Sequence, residues 1–266
     1  MNHSINECVL ILAGLDPSGG AGISADQRAV LAAGAWPCPV AVVSTVQSTM
    51  GLESVQQVDP KLVLAQAKRL LDHQNICVIK TGALGSHEGV DVVLRLVDAC
   101  DLPVIVDPVS TASRGQATLS NGDPRDLASR ATLFTPNALE ASALCGSKVR
   151  DLADQREAAR SLLSLGSHAV LVKGGHVDGA QCVDVLALGT KVVEFSSARR
   201  RAAQVHGTGC LLASLIAGRL AINAPGQGRQ VSEKVLVQAI GFSRRRLGQA
   251  IAKAQCIGEG QLVARV

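Results

Sequence analysis

The sequence predicts an α/β fold in which one mainly parallel sheet carries helices on both faces. Short apolar runs of strand length alternate along the chain with longer segments of helical period, and this order is typical of parallel strands joined by right-handed crossovers. Hydrophobic residues make up 47% of the 266-residue chain, whereas its aromatic residues are only three Phe and one Trp. A core of Val, Leu, Ile and Ala suits strands that are buried on both faces.

The predicted strands and helices alternate over the first two thirds of the chain. The apolar runs that we predict as strands are Cys8–Ala13, Val40–Val46, Ile76–Lys80, Pro103–Val106, Thr132–Phe134 and Ala169–Lys173. The segments of helical period between them are Ile23–Ala33, Pro60–His73, Glu88–Ala99, Asp123–Arg130, Ala138–Cys145 and Leu152–Leu165. Two further runs, Val183–Leu188 and Lys191–Phe195, are separated by Gly189-Thr190, which predicts an antiparallel hairpin at a sheet edge.

The last third of the chain predicts two helices and no second domain. Gly209–Ala221 is apolar almost throughout, and Val231–Ala254 has one register that is more apolar than the other. Between them, residues 223–229 form only a short Gly/Pro loop, and neither a linker nor an internal repeat divides the chain. We therefore expect residues 1–266 to form a single domain.

Composition and charge narrow the classes of partner. The net charge of +4 is concentrated in Arg199–Arg201 and Arg244–Arg246, runs that favour solvated faces, with a basic rim for a polyphosphate substrate as the alternative. The scarcity of aromatic residues argues against nucleic-acid binding. The apolar run Cys8–Leu15 is too short to span a membrane, and the cysteines show no metal-ligand spacing. We expect a reduced, cytoplasmic protein that acts on a small molecule.

The loop after the first predicted strand is rich in glycine, from Ala13 to Gly22. Residues 20–25 match a relaxed GxGxxA dinucleotide pattern, but that site also needs an acidic residue about 20 positions further on. No Asp or Glu occurs from Gln27 to Leu52, and no GxxxxGK[ST] motif occurs anywhere in the chain. These absences argue against both a dinucleotide site and a P-loop, so the glycines indicate close approach to another ligand.

The segment His206-Gly207-Thr208-Gly209-Cys210 precedes an apolar helical run. A glycine-rich loop that opens a helix aligns free N–H groups at the positive end of the helix dipole, which predicts a cradle for an anion or a phosphate. In this first turn we expect the pKa of the Cys210 thiol to be lowered. The alternative is a buried cysteine at the start of a packed helix, and we expect His176 and His206 to act as loop hydrogen-bonders rather than ligands.

Three other predicted strands are followed by residues suited to phosphate chemistry. Asn137 and Glu140 share one face of a helical turn, and a carboxylate there suits Mg²⁺, the alternative being a helix first-turn charge. Lys173 ends a strand before two glycines and suits a phosphate. Asp107 ends another strand and suits a metal ion or a water molecule.

These motifs together resemble those of the hydroxymethylpyrimidine/phosphomethylpyrimidine kinases, which belong to the ribokinase-like superfamily. In chain order they are Asp16-Pro17-Ser18-Gly19-Gly20-Ala21-Gly22, Lys80-Thr81-Gly82, Asp107-Pro108-Val109, Thr135-Pro136-Asn137, Asn137-x-x-Glu140, Lys173-Gly174-Gly175-His176 and His206-Gly207-Thr208-Gly209-Cys210. The resemblance covers nearly the whole chain. It implies a ribokinase-like three-layer α/β/α fold without a separate lid domain, a homodimer, and the use of ATP and Mg²⁺. It also implies phosphorylation of 4-amino-5-hydroxymethyl-2-methylpyrimidine and then of its monophosphate, in thiamine biosynthesis.

The resemblance also assigns roles to individual residues. The pyrimidine pocket would be formed by Gly14, Ala21, Asp26, Gln47 and Val109. The catalytic anion hole would be formed by Gly207, Gly209 and Cys210, with Cys210 as a possible base for the first phosphorylation. The nucleotide phosphates would contact Lys173, Asn137 and Thr208, and Mg²⁺ would be held by Glu140 and Asp107.

The chain departs from the family pattern at three places. Ala83 and Ser110 stand where the family usually has methionine, and Gln204-Val205 replaces the usual Asn-Thr. Loss of two methionines is expected to widen the pocket and make it more polar. Two alternatives therefore stay open, a pyridoxal or pyridoxine kinase of the same superfamily and a non-catalytic regulatory relative that binds a pyrimidine.

Overall fold

The computed structural model describes residues 6–110, 119–177, 179–199 and 205–266. Its centre is a nine-stranded sheet with the order β3-β2-β1-β4-β5-β6-β7-β8-β9. The bounds are β1 Cys8–Leu15, β2 Trp36–Ser48, β3 Gly51–Gln57, β4 Ile76–Thr81, β5 Val104–Val106, β6 Leu133–Phe134, β7 Ala169–Val172, β8 Gln181–Leu188 and β9 Lys191–Ala198. Strands β1, β2 and β4 to β7 are parallel, and β3, β8 and β9 extend the sheet antiparallel at its two edges.

Eight α-helices of the described residues cover the two faces of the sheet. They are α1 Gly22–Ala33, α2 Pro60–His73, α3 His87–Asp98, α4 Arg125–Ala128, α5 Ala138–Cys145, α6 Leu152–Leu163, α7 Thr208–Asn223 and α8 Glu233–Ala252. Helices α2 to α6 contribute to the core on one face, and α1, α7 and α8 contribute to the core on the other. The predicted three-layer α/β/α arrangement is therefore confirmed. Within the described part of the chain, no helix has both the length and the apolar character needed to cross a membrane.

The predicted strands and helices are present, and the differences have physical reasons. Strand β2 begins at Trp36 rather than Val40. The difference arises because Pro37 and Pro39, which lack an N–H donor and usually indicate the end of a strand, lie within it. Strand β3 was not predicted, since its sequence is polar and only Leu52 is buried, as suits an edge strand. A second sheet was also not predicted. Its strands are β10 Val205–His206, β11 Gln255–Cys256 and β12 Leu262–Val263, in the order β10-β12-β11.

The expectation of solvated arginine runs is wrong for Arg244 and Arg199, whereas Arg245 is exposed as expected. The Arg244 guanidinium lies 2.9 Å from a carboxylate oxygen of the buried Asp184 and donates to the Cys182 carbonyl at 3.0 Å. Arg199 donates to the Gly175 and Gly179 carbonyls at 3.0 and 2.8 Å. Arg244 thus ties α8 to the β8–β9 hairpin, and Arg199 ties the end of β9 to the loop after β7. Residues 200 and 201 lie outside the described residues.

The close crossing of α1 and α7 depends on Gly218, and this dependence can be tested. A Cβ on Gly218 would lie 2.8 Å from the Ala33 Cβ and 3.2 Å from the Val30 Cα, so there is no room for a side chain. We expect Gly218→Ala to lower the free energy of unfolding by about 1–3 kcal/mol through overpacking, measured by urea denaturation. Gly248→Ala is the matched control, because no atom lies within 4 Å of that position in α8. The control should be neutral or slightly stabilising, and equal stability of the two variants would contradict the close crossing.

Candidate active site

The glycine-rich loops after β1 and before α7 pack directly on each other at the carboxyl ends of the parallel strands. Gly207 has a φ of +76°, and a Cβ there would overlap the Gly20 carbonyl oxygen and lie 2.9 Å from the Ala21 Cα. Glycine is therefore required both by backbone conformation and by space. The N-terminus of α7 consequently opens beside the first loop, where its free N–H groups can face an anion.

A buried ion pair between Lys173 and Asp107 lies next to that helix N-terminus. Their ammonium and carboxylate groups are 2.6 Å apart, and a Cβ on Gly209 would lie 3.2 Å from the lysine nitrogen. Burial opposes the charge on Lys173, but Asp107 and Glu140 outweigh it and raise the pKa of Lys173. The second carboxylate oxygen of Asp107 is buried and has no hydrogen-bond partner within the described part of the chain. This oxygen is available to a metal ion or a metal-bound water.

Asn137 and Glu140 form a capping box at the start of α5. The Asn137 carboxamide oxygen accepts from the Leu139 and Glu140 N–H groups at 2.8 and 2.9 Å, and the Glu140 carboxylate accepts from the Asn137 N–H at 2.7 Å. Burial raises the pKa of Glu140 to about 7, against the opposing effect of Lys173. Glu140 therefore acts as a first-turn charge of α5, which was the alternative to a metal ligand. The charges of Lys173 and Asp107 also act on its carboxylate.

Cys210 lies in the first turn of α7, but its thiol does not have the acidity that the sequence suggests. Burial raises the pKa of Cys210 to about 12, although the positive charge of Lys80 opposes this effect. The expectation of a lowered pKa is therefore wrong, because desolvation of the thiolate outweighs the favourable charges near it. A neutral thiol is a weak hydrogen-bond donor and a poor base.

Asp26 and Lys80 form a second buried ion pair beneath the same helix. Their charged atoms are 2.8 Å apart, both side chains are fully buried, and the Ser214 hydroxyl donates to the same Asp26 oxygen at 2.7 Å. The attraction of Asp26 outweighs the effect of burial and raises the pKa of Lys80. Asp26 was assigned to the pyrimidine pocket, whereas its carboxylate contacts β4 and α7 in the interior. The sequence assigns Lys80 only to a motif, and the signal for its role is a lysine at the end of an otherwise apolar strand.

Gln47 contacts a hydrogen-bonded pair formed by Asp16 and His206. The His206 Nε2 atom lies 2.9 Å from the Asp16 Oδ2 atom and 3.2 Å from the Gln47 side-chain nitrogen. Asp16 also accepts from the Ser18 and Ala21 N–H groups, each at 2.9 Å. Burial tends to raise the pKa of Asp16, but the hydrogen bonds from His206 and Ser18 bring it below its usual range. The prediction of His206 as a loop hydrogen-bonder is confirmed.

An apolar cluster lies below this polar network. It consists of Val43, Leu52, Ala83 and Leu119, with Val55 and Val109 packed against it. A Cβ on Gly14 would lie 2.9 Å from a Val43 methyl group and 3.5 Å from the Ala83 Cβ, so Gly14 borders this cluster. The structure therefore brings Gly14, Ala83 and Val109 together in one region, beside the strand that carries Gln47.

The fold and these loops place the chain among the ribokinase-like small-molecule kinases. It aligns with Bacillus subtilis pyridoxal kinase in an ADP complex at a TM-score of 0.84 and 24% identity, covering 97% of this chain and 96% of that one. It aligns with phosphomethylpyrimidine kinase from Clostridium difficile at a TM-score of 0.74 and 26% identity, covering 92% and 99% of the two chains.

The chain belongs to the phosphomethylpyrimidine kinase family, whose model matches residues 16–262. It is 31% identical to the hydroxymethylpyrimidine/phosphomethylpyrimidine kinase of Rhizobium meliloti, over 95% of this chain and 93% of the relative. It is 37% identical to the kinase of the same name from Streptomyces coelicolor, over 80% of each chain. A thiamine biosynthesis bifunctional protein of Geobacter sulfurreducens is also 37% identical, and this chain spans 50% of its length.

Because burial keeps the Cys210 thiol neutral, we can predict the effect of replacing it. We expect Cys210→Ala to slow phosphorylation of an alcohol and of a phosphate monoester by a similar factor, on the order of tenfold, because a neutral thiol would contribute only to the shape of the predicted anion hole. Single-turnover rates for the two steps provide the measurement. A loss confined to the alcohol substrate would restore the role of Cys210 as a base.

Proposed function

We propose that this chain transfers the γ-phosphoryl group of ATP to 4-amino-5-hydroxymethyl-2-methylpyrimidine and then to the resulting monophosphate, in thiamine biosynthesis. The observation that carries the proposal is the Lys173–Asp107 ion pair at 2.6 Å beside Gly209, at the N-terminus of α7. A lysine and free helix N–H groups can hold phosphate oxygens, and an unpartnered carboxylate oxygen of Asp107 can serve a cation there. Membership of a kinase family supports this assignment.

Each charged group of this region would have its own role in phosphoryl transfer. Lys173 would neutralise nucleotide phosphate charge, and the N–H groups of Thr208, Gly209 and Cys210 would face the oxygens of the moving phosphoryl group. Asp107 and Glu140 would hold Mg²⁺, directly or through water, with Asn137 fixing the Glu140 backbone. Bound Mg²⁺ supplies charge neutralisation between the phosphates. Catalysis then consists mainly of positioning and charge stabilisation, as is usual for this reaction.

The substrate ring would lie over the apolar cluster, with Gln47 at its polar edge. Gly14 packs closely against Val43 and Ala83, where a side chain would not fit, and Val109 would complete this side of the pocket. A carboxamide offers both a donor and an acceptor, which matches the exocyclic amine and the neighbouring ring nitrogen of an aminopyrimidine. Ala21 contributes through its backbone, since its N–H group fixes Asp16. Asp26 acts from below the pocket through Lys80.

Mass spectrometry of the products tests the proposal most directly. The purified protein is given ATP and Mg²⁺ with the aminopyrimidine alcohol and pyridoxine together, and the phosphorylated products are identified. We expect the pyrimidine monophosphate followed by the diphosphate. Pyridoxine phosphate as the main product would instead establish the pyridoxal kinase alternative. Ligand binding without turnover would establish the regulatory alternative.

The phosphate-binding assignment predicts the effect of two substitutions. We expect Lys173→Ala and Glu140→Gln to lower turnover by about a hundredfold or more, because each removes a charge that acts on phosphate or Mg²⁺. Lys173→Ala should also lower the free energy of unfolding, because it leaves the buried Asp107 without its partner. Circular dichroism checks the fold, and ATP consumption checks turnover. Lys191→Ala is the matched control, since that lysine is exposed on β9 and pairs with Glu233 at the surface. Turnover near that of the control would remove the substituted residue from the site.

The pKa of Glu140 predicts how Mg²⁺ dependence changes with pH. Glu140 has a pKa of about 7, so the charged form that binds Mg²⁺ predominates above that pH and is lost below it. The apparent affinity for Mg²⁺ should therefore weaken by roughly tenfold as pH falls from about 8 to about 6. In Glu140→Gln, only the pH dependence of Mg·ATP in solution should remain. The same pH dependence in both proteins would exclude Glu140 as the titrating ligand.

The assignment of Gln47 predicts a change in substrate preference. A pyridoxine ring presents a phenolic oxygen and a methyl group where the pyrimidine presents an amine and a ring nitrogen, so the carboxamide would be only partly satisfied. An unpaired buried polar group costs about 1–3 kcal/mol, which is about a ten- to hundredfold preference. Gln47→Leu should therefore lower kcat/KM strongly for the aminopyrimidine and little for pyridoxine. A ratio that survives the substitution would show that Gln47 does not distinguish the rings.

The single domain over residues 1–266, the homodimer and the cytoplasmic location remain predictions. Light scattering of the purified protein measures the assembly state, and a mass of one chain would contradict the dimer.

A further inference from the structure

The polar contacts around Gln47 come from three different parts of the chain. Thr45, on the same strand, has its hydroxyl oxygen 2.8 Å from the Leu15 carbonyl oxygen and 3.3 Å from the Gln47 side-chain oxygen. On the other side of the carboxamide, the Gln47 nitrogen is 3.2 Å from the His206 Nε2 atom, which in turn is 2.9 Å from Asp16. The His206 and Asp16 side chains are 5% and 3% exposed, so water does not compete freely for these contacts.

The carboxylate of Asp16 decides which ring nitrogen of His206 carries a hydrogen. Its hydrogen bonds lower the pKa of Asp16, so at neutral pH it is ionised and can only accept. A lone pair on Nε2 would face this carboxylate at 2.9 Å and repel it. The Nε2 atom therefore carries a hydrogen and donates it to Asp16. In histidines generally, a hydrogen-bond partner of the ring decides which nitrogen is protonated.

With the hydrogen on the His206 Nε2 atom, the NH₂ group of Gln47 would face the N–H group of His206, and both groups are donors. On the opposite side, the Thr45 hydroxyl donates at 2.8 Å to the Leu15 carbonyl, which leaves its lone pairs facing the Gln47 oxygen. The two ends of a carboxamide have the same shape, so hydrogen-bond partners decide which end is oxygen. Exchanging the two ends removes both conflicts. The oxygen then shares the single Nε2 hydrogen of His206 with Asp16 in a three-centre hydrogen bond, and the nitrogen donates to Thr45.

We propose that His206 is a specificity-determining positioning residue, which, held by Asp16, fixes the Gln47 carboxamide with its oxygen towards His206 and its nitrogen towards Thr45. One lone pair and one N–H of the carboxamide then remain for a ligand. The substrate class is a ring with an amine beside a ring nitrogen, its amine on the His206 side and its ring nitrogen on the Thr45 side. This inference rests on the proposed role of Gln47 and goes beyond it, because it gives the polarity in which the ring is bound.

Substrate preference tests the inference, with kcat/KM measured for the aminopyrimidine alcohol and for pyridoxine. His206→Leu removes the donor, and the ratio of the two values should fall by about two- to tenfold, the range that one net hydrogen bond spans. Thr45→Val should lower the ratio in the same way. His206→Gln, whose carboxamide can reach the Nε2 position, should restore much of it. His168→Leu is the matched control, because that half-buried histidine contacts the Val231 carbonyl away from Gln47.

A double variant separates an effect through Gln47 from a general loss of structure. If His206 acts only by orienting Gln47, Gln47→Leu/His206→Leu should have the same substrate ratio as Gln47→Leu alone. Equal losses for both substrates in His206→Leu, or a further fall of the ratio in the double variant, would overturn the inference. Absence of aminopyrimidine phosphorylation by the unsubstituted protein would instead refute the proposed function.

The tautomer can also be measured in the unsubstituted protein. Long-range ¹H–¹⁵N correlation spectra, assigned with His206→Gln, should show the His206 hydrogen on Nε2 at neutral pH. A hydrogen on Nδ1 with Nε2 unprotonated would overturn the inference regardless of any activity.

Discussion

The ion pair between Lys80 and Asp26 is the interaction on which the rest of the site depends. Lys80 belongs to the central strand β4, Asp26 to α1, and Ser214, which donates to the same carboxylate oxygen, to α7. The two glycine-rich loops of the site lead into α1 and α7. Removal of one partner from a fully buried pair leaves an uncompensated charge and typically costs about 3–5 kcal/mol. The pair therefore fixes how α1 and α7 sit on the sheet, and with them the loops at their N-termini.

Above this pair, the site holds more negative charge than its own lysines neutralise. Asp107 shares Lys173 with the nearby Glu140, one Asp107 oxygen has no partner among the described residues, and burial raises the pKa of Glu140 to about 7. Each of these features is unfavourable for the free protein and would be relieved by a bound cation. This excess of negative charge supports the proposal that Asp107 and Glu140 hold Mg²⁺.

The sequence predicted those parts of the site that depend on local chemistry. The glycine-rich loops, the strand-terminal Asp107 and Lys173, and the capping pair Asn137 and Glu140 are each visible within a few neighbouring residues. The environment of Cys210 was not, because burial of its thiol depends on packing by distant segments and outweighs the local helix field. The contact between Gln47 and His206 joins residues 159 positions apart, and nothing in either segment alone indicates it. The edge strand β3 was not predicted for a related reason. Its own sequence is polar, and it is recognised as a strand only through its pairing with β2.

The last residues of the chain take part in the site, although their sequence shows no motif. Strand β12 pairs His206 with Val263, and the Gln261 N–H donates to the Thr49 carbonyl at 2.9 Å, two residues beyond Gln47. The same short segment therefore supports both sides of the His206–Gln47 contact. Strands of two residues are too short to be stable by themselves, so this support depends on the packing of Leu262 and Val205 beside α1 and α8. The packing of these helices thus supports the His206–Gln47 contact through β12, so residues far from Gln47 in the sequence help to hold its side chain in place.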